Sequence, residues 1–431
     1  MQACDFDSKL FCGNRERLVK LMFPNSLAVA NANDIPPTNS DGSMATVPNS
    51  DLFYLTGVSQ EQSLVLLFPD APEENQREIL FLREPSERAQ IWEGHKLTKD
   101  EARKISGIQN IQWLGEFPSF FHRLMCDCEH VYLNSNEHKR AEIEVESRDA
   151  RFIAQCQKRY PLHQYHRLAR LLHALRIVKT EPEIAAIRRA CDITGQGFKR
   201  VLKFLKPGVN EADIEAELAH EFIRHHCRFA YLPIIATGGN ACSLHYNSND
   251  TECCKGELVL LDTAAAYSNY NSDLTRTIPV SGRFSRRQKQ VYNAVLRVFC
   301  GASKLLTPGR LPRDWQKEAE QLMEKELVDL RLISMQDIKK QSKDLPALKK
   351  YFMHGVGHPI GLDVHDVGYT TQPMQAGWVM TCEPGIYIPE EKLGVRIENT
   401  ILVTDNGPVD LMEKIPLEID AIESIMNRGR E

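Results

Sequence analysis

An α/β domain with a mixed sheet and flanking helices, followed by an α+β domain, is the fold that the sequence predicts. Three observations carry it. Short apolar runs alternate with polar, helix-like stretches over the first part of the chain. A helix-capping signal near residue 180 then opens a series of long amphipathic helices. Beyond residue 250, apolar strands end in acidic residues.

In chain order, Leu27 to Ala30, Ser63 to Phe68, Ile79 to Leu82 and Val131 to Leu133 read as buried strands. Helical stretches between them suggest a mixed or parallel sheet. A polar stretch from Asn134 to Asp149 closes this block. The boundary falls near 175–180, giving domains of 1–175 and 176–431. Thr180 and Glu183 form a capping box, with Pro182 in the first turn, where its missing N–H costs nothing. Ile184, Ile187, Cys191, Phe198, Val201 and Leu205 then recur at helical spacing until Pro207-Gly208. A second helix is expected from about Glu211 to His225, with Ile214, Leu218 and Phe222 on one face. Strands are expected at Leu258–Leu261, Trp378–Cys382 and Val395–Val403, with helices near 286–305 and 312–328. The second block therefore reads as helices packed on a largely separate sheet.

The 431 residues fit two domains. A composition of 42% hydrophobic and 26% charged residues is that of an ordinary globular chain. A net charge of −5 provides no basic footprint for nucleic acid. No apolar run of membrane-spanning length occurs. The start, Met1 to Asp7, carries two acids and no apolar segment, so a cytoplasmic protein is expected. Twelve cysteines without paired spacing read as reduced thiols. Cys126, Cys128 and His130 form only a weak metal motif.

The chemistry concentrates in the second block. His354, His358 and His365 lie within twelve residues that also hold Gly355, Gly357, Pro359 and Gly361. Histidines four apart suit a zinc-protease helix, but these glycines and Pro359 exclude a helix. Any further metal ligands must come from elsewhere. Asp262 follows four apolar residues, and Asp273 comes eleven residues later. Glu383 ends the apolar stretch after Trp378, and Glu398 shares a strand face with Arg396. Singly, each acid reads as a cap or an ion pair. Together, buried like charges repel unless cations neutralise them. Two metal ions sharing carboxylates and a water would use so many acids.

The set Asp262, Asp273, His358, Glu383 and Glu398 resembles the dinuclear site of the pita-bread metallopeptidases. The stretches Asp273-Leu-Thr-Arg-Thr277, His354 to Asp366, Glu383-Pro-Gly-Ile-Tyr387, Val395-Arg-Ile-Glu-Asn399, Leu175 to Ile184 and Asn49 to Gly57 are similar to the Xaa-Pro peptidase branch, which includes prolidase and creatinase. Within that branch the pattern is closest to the aminopeptidase P group. The resemblance implies a pita-bread catalytic domain that releases the amino-terminal residue of peptides with proline second, by attack of a metal-bridging hydroxide. Prolidase, which takes only dipeptides, is the alternative, and a non-catalytic binding module a remote one.

Carried across by position, Asp262 would hold one ion, His358 and Glu383 the other, and Asp273 and Glu398 would bridge. Glu383 would pass the water proton to the leaving nitrogen. His354, His365 and His245 would line the pocket, His365 as a donor to the carbonyl oxygen, and Arg396 would brace a ligand from behind. A ligand set of oxygens and one imidazole favours Mn²⁺, with Co²⁺, Zn²⁺ or Fe²⁺ as substitutes. The resemblance also implies a homodimer or homotetramer, with Trp92 either reaching toward a neighbour or buried in its own domain. Three positions depart from the family: Ala264 stands where glycine is usual, Pro359 follows the ligand histidine, and Glu93 precedes Gly94. If the backbone at Ala264 needs φ > 0, its side chain costs roughly 1 kcal/mol.

Overall fold

Chain contacts divide the protein into two units, Met1–Arg176 and Ile177–Glu431. The structure is a computed structural model that describes residues 6–342, 346–369 and 371–428. Residues 1–5, on which part of the reading of the amino terminus rests, lie outside that range, as does Thr370.

The first unit runs α1 (Ser8–Val19), β1 (Ser26–Asn31), α2 (Ser50–Thr56), β2 (Leu64–Leu67), β3 (Glu78–Leu82), α3 (Glu87–Glu93), α4 (Lys99–Ser106), β4 (Asn110–Trp113), α5 (Phe117–Asp127), β5 (His130–Leu133), α6 (Arg148–Arg159), β6 (Gln164–Arg167) and α7 (Leu168–Arg176). Its sheet has the order β4-β3-β2-β1-β5-β6. β2 is antiparallel to both neighbours, while β1–β5, β5–β6 and β3–β4 are parallel, so the sheet is mixed. Alternate residues Leu27, Val29, Leu64, Leu66, Ile79, Phe81, Val131 and Leu133 pack with Phe121, Leu124 and Met125 of α5. Every residue of β1 is buried, so its other face is covered too. Burying each large apolar side chain contributes roughly 1.5–3 kcal/mol. The stretch Asn49–Gly57 forms α2 with both caps. Asn49 Oδ1 accepts from the N–H groups of Asp51 and Leu52, and Gly57 ends the helix at φ 69°. A side chain there would be strained, and its Cβ would meet the Phe11 ring at 2.3 Å.

The second unit opens with α8 (Glu181–Phe204) and α9 (Glu211–Arg224). Glu183 accepts the Thr180 N–H at 2.8 Å, as the capping box predicts. Strands follow: β7 (Arg228–Phe229), β8 (Ile234–Thr237), β9 (Leu258–Asp262), β10 (Ala265–Tyr267), β11 (Tyr270–Asn271) and β12 (Thr275–Pro279). After α10 (Arg286–Lys304), α11 (Pro312–Asp329) and α12 (Met335–Lys340) come β13 (Val379–Cys382), β14 (Gly385–Ile388), β15 (Leu393–Arg396), β16 (Asn399–Leu402), β17 (Val409–Asp410) and α13 (Ile419–Asn427). The strands form small sheets, β11-β10-β7, β12-β9-β8, β13-β16-β17 and β14-β15, instead of the single sheet expected.

The stretch 395–403 corrects the sequence reading most clearly. It is two strands, because the chain changes partners at Ile397-Glu398: β15 pairs with β14, and β16 with β13. Between them Glu398 bridges Thr275, and the Arg276 guanidinium takes Glu398 O at 2.8 Å and Asn399 Oδ1 at 2.7 Å. Both strands are buried throughout, so no change of polarity marks the break. No helix among the described residues is long and apolar enough to cross a membrane.

Candidate metal centre

Asp262 is the last residue of β9, held between Ile234 of β8 and Thr275 of β12. Asp273 comes after the β10–β11 hairpin, whose two-residue turn places Ser268 and Asn269 at φ 47° and 68°. That turn suits asparagine, which tolerates left-handed backbone. Asp273 is then fixed to β16 on both sides of its peptide: its N–H donates to Thr400 Oγ1 at 3.2 Å, and Thr400 Oγ1 donates to its carbonyl at 3.1 Å. Glu383 directly follows β13, and Glu398 lies in the break between β15 and β16. Four acids therefore project from the ends of strands that pair with one another.

The histidine loop joins them by running along β13. Glu383 N–H bonds to Val356 O, Thr381 N–H to His358 O and Ile360 N–H to Val379 O, at 2.8–3.0 Å. The extended backbone before Pro359 permits this pairing. Gly357 permits its closeness: a Cβ there would stand 2.2 Å from Thr381 O. His358 Nδ1 lies 3.0 Å from Pro359 O. A carbonyl only accepts, so Nδ1 carries the proton and the Nε2 lone pair faces inward. Nε2 stands 3.6 Å from Asp273 Oδ2 and 3.8 Å from Glu383 Oε1. Ligand atoms sharing an ion at about 2.1 Å stand roughly 3–3.5 Å apart, so these donors need little movement to do so.

Asp273, His358 and Glu398 offer ligand atoms within 4.8 Å of one another, and all three are buried. Burial and then the charge of Asp262 push the Asp273 carboxyl well above its ordinary pKa. Burial, followed by Asp273 and Glu383, does the same to Glu398. Glu398 Oε2 accepts from Thr275 Oγ1 at 2.6 Å, but buried Oε1 has no hydrogen-bond partner. An orphaned carboxylate oxygen among like charges and an inward imidazole lone pair is a donor set that a divalent cation completes. Among the described residues this is the one such cluster. Cys126, Cys128 and His130 form none, and burial lifts the Cys128 thiol to about 12.

Three partners escaped the sequence reading. Tyr231 OH lies 2.5 Å from both Asp262 Oδ1 and Asp273 Oδ1. A phenol has one proton, so Tyr231 can donate to only one of the two carboxylates at a time. Thr275 Oγ1 receives Arg396 Nε at 3.1 Å. Tyr387 OH receives Arg396 Nη1 at 2.8 Å and lies 2.8 Å from His354 Nε2. Tyr231 and Thr275 stand in ordinary local contexts and give no signal alone. Tyr387 lies inside a quoted motif without an evident task.

Arg396 itself reaches Asp262 Oδ2 at 2.5 Å. His354 Nδ1 lies 2.7 Å from Gly355 O and so carries the proton, leaving Nε2 to accept from Tyr387. Burial, with Arg396 nearby, lowers the His354 pKa to about 3. His354 Nδ1 is also 3.8 Å from Glu383 Oε2. His365 is exposed, its ring edge-on to His358 at 4.4 Å between centroids. His245 is exposed on the segment after the turn Gly238–Cys242, close enough for its charge to act on His354. Ala264 is buried and is not among the residues with positive φ, so the expected strain does not arise.

The sequence profile of metallopeptidase family M24 matches residues 185–405, and that of the aminopeptidase P N-terminal domain matches residues 11–132. The chain is similar to the Xaa-Pro aminopeptidase of Escherichia coli, at 31% identity over 98% of each chain. It is also similar to the solved structure of Pseudomonas aeruginosa aminopeptidase PepP, with TM-score 0.89, 29% identity and coverage of 99% of this chain and 100% of that one. Zinc-substituted Escherichia coli aminopeptidase P in complex with product gives TM-score 0.86 and 30% identity over 99% of each chain.

Proposed function

The chain belongs to metallopeptidase family M24, and from that premise we propose that it is a metal-dependent Xaa-Pro aminopeptidase. It releases the first residue of a peptide whose second residue is proline. The convergence of Asp273, His358 and Glu398, with an orphaned oxygen on Glu398, carries the metal dependence. The proline preference comes from the named relatives. In this reading residues 1–175 form an accessory domain and 176–431 the pita-bread catalytic domain.

The proposed site would take two divalent ions, held by Asp262, His358 and Glu383 together with Asp273 and Glu398, which would serve both. Oxygen donors with one imidazole favour Mn²⁺. Bound there, the ions supply the Lewis acidity that makes water a nucleophile near neutral pH. Glu383, half-buried at the mouth of the cluster, takes the water proton and delivers it to the proline nitrogen. His365 faces solvent and donates to the carbonyl oxygen as charge develops there. Neutral His354 lines the pocket with its ring, since both of its nitrogens are engaged within the protein. Exposed His245, whose charge acts on His354, would line the pocket with it. Arg396 neutralises Asp262 from behind and orients Tyr387.

Three substrates test the reading: an Xaa-Pro dipeptide, an Xaa-Pro-Yaa-Zaa tetrapeptide, and the same tetrapeptide with alanine for proline. The Mn²⁺-loaded protein should cut the proline tetrapeptide at its first bond and spare the alanine form. The segment 366–374 is short for a lid, although Thr370 lies outside the described residues. Cleavage of the dipeptide alone would make the protein a prolidase. Full hydrolysis after chelation would remove the metal from the mechanism altogether.

A homodimer or homotetramer accompanies this reading. Ile91 and Trp92 of α3 are 78% and 79% exposed, so Trp92 is not buried within its own unit. Two such side chains side by side favour coverage by a neighbour. A monomer in light scattering at micromolar concentration would refute this. Cytoplasmic residence fits the free state of every described cysteine.

A further inference from the structure

We infer that the buried ion pair of Lys179 and Asp366 is a positioning device for His365, holding that histidine beside His358 without itself touching substrate or metal. The inference deepens the reading above and rests on it for what His365 does in hydrolysis. Lys179 Nζ lies 3.0 Å from Asp366 Oδ2, and both side chains are 1% exposed. A pair this dry is a weak source of stability, because taking two charges out of water offsets their attraction. It is, however, a specific geometric constraint.

The geometry shows what is constrained. On one side of His365, Asn271 fixes the loop: its N–H and Nδ2 bond to Gly361 O at 2.8 and 3.1 Å, and Nδ2 bonds to Leu362 O at 2.9 Å. On the other side, Asp366 N–H bonds to Pro359 O at 2.9 Å, and Asp366 Oδ1 accepts the Val367 N–H at 2.9 Å. The remaining oxygen goes to Lys179, whose own N–H is bound to Gly377 O at 2.8 Å. Only Asp363, Val364 and His365 lie between these anchors. Packing leaves no slack, since a Cβ on Gly361 would stand 2.2 Å from Asp366 Oδ2 and 2.8 Å from Lys179 Cε. Ile177 backs the same loop, 2.7 Å from where a Cβ on Gly368 would sit. The segment 177–179, which precedes α8 and holds no proposed ligand, is thus the plate against which His365 is set.

The test uses the full chain with Mn²⁺ and two readouts. One is kcat and KM on the proline tetrapeptide, with metal content. The other is the rate at which diethyl pyrocarbonate modifies His365, followed by peptide mass spectrometry with exposed His245 as internal reference. In Lys179→Met/Asp366→Leu both charges leave together, so neither remains buried alone. Metal content should hold, kcat should fall roughly 10–100-fold, as misplaced catalytic groups do, and His365 should be modified several-fold faster relative to His245. The loss in kcat should vanish when the same pair is changed in His365→Ala. Should that double variant fail to fold, Lys179→Met/Asp366→Asn also removes both charges, keeps the size of Asp366 and its Val367 contact, and should shift both readouts in the same direction by less. An unchanged modification rate at His365 overturns the inference, as does an equal loss in kcat on the His365→Ala background. If His365→Ala hydrolyses at full rate, the proposed role of His365 fails, and the modification rate still decides the positioning.

Discussion

The floor of the site and its rim are built by opposite rules. On the floor, Asp273, His358 and Glu398 are 4%, 8% and 2% exposed; His358 O and Glu398 N–H bond to the backbones of Thr381 and Thr275, and the Asp273 N–H and carbonyl to Thr400 Oγ1. On the rim, His245 and His365 are exposed and ride on loops held from behind. The His245 loop is held by Glu211, a buried carboxylate that accepts Thr237 N–H and Tyr246 OH at 2.7 Å and Thr251 N–H at 3.0 Å. The contrast teaches what each layer can do. Buried carboxylates are tolerable together only around a cation. Exposed imidazoles cost little to keep and lie where a substrate can meet them.

Asp273→Asn should test the contrast most severely. If Asp273 is the shared carboxylate proposed above, its loss should empty the floor and reduce hydrolysis by more than roughly 10³-fold. Two ions per chain, measured by atomic emission in that variant, would move the shared position elsewhere. Next comes His365→Ala, expected to lower kcat about 10²–10³-fold, the usual cost of one oxyanion donor. Metal content should not change, and an emptied site would erase the distinction between floor and rim.

A smaller effect is expected in acid. His354 titrates near 3 in the folded protein, against an ordinary 6.5. The unfolded chain therefore takes up a proton that the folded one refuses, so stability is lost as pH falls below about 6.5, until about 3. His354→Gln should shift the acid unfolding midpoint of the metal-free protein to lower pH, followed by circular dichroism. The raised carboxylates remain in both proteins and cancel in the comparison. An unshifted midpoint would place His354 with the solvated rim. Smallest of all is Ala264→Gly. With no positive φ to relieve, glycine should destabilise by roughly 0.5–1 kcal/mol, and a rise in thermal stability would restore the strain argument.

Much of this was legible because burial leaves simple traces. An acid at the end of Leu258–Leu261 is conspicuous, since nothing apolar explains it, and the same holds for Glu383. Capping chemistry near Thr180 and Asn49 is local and therefore readable. Strands β4 and β6 were missed because edge strands carry polar residues, such as Gln112, His166 and Arg167, that break the apolar pattern. The division of 395–403 was invisible for the converse reason, both halves being buried. Tyr231 and Thr275 act through contacts 42 and 123 residues away, which no local pattern encodes.

That last separation has a consequence for the chain's birth. Thr275 meets Glu398, and Asp273 is pinned by Thr400, so the pairing that shapes the floor joins segments made far apart in time. At roughly 5–20 residues per second, a ribosome needs on the order of ten seconds to travel from Asp262 to Glu398. Throughout that interval Asp262 has β8 and β12 beside it, but Glu398 and the Thr400 that pins Asp273 are still missing. The nascent polypeptide has nothing with which to select an ion, and metal choice is deferred until synthesis is nearly finished. The cage that would select an ion is thus complete only in the finished fold.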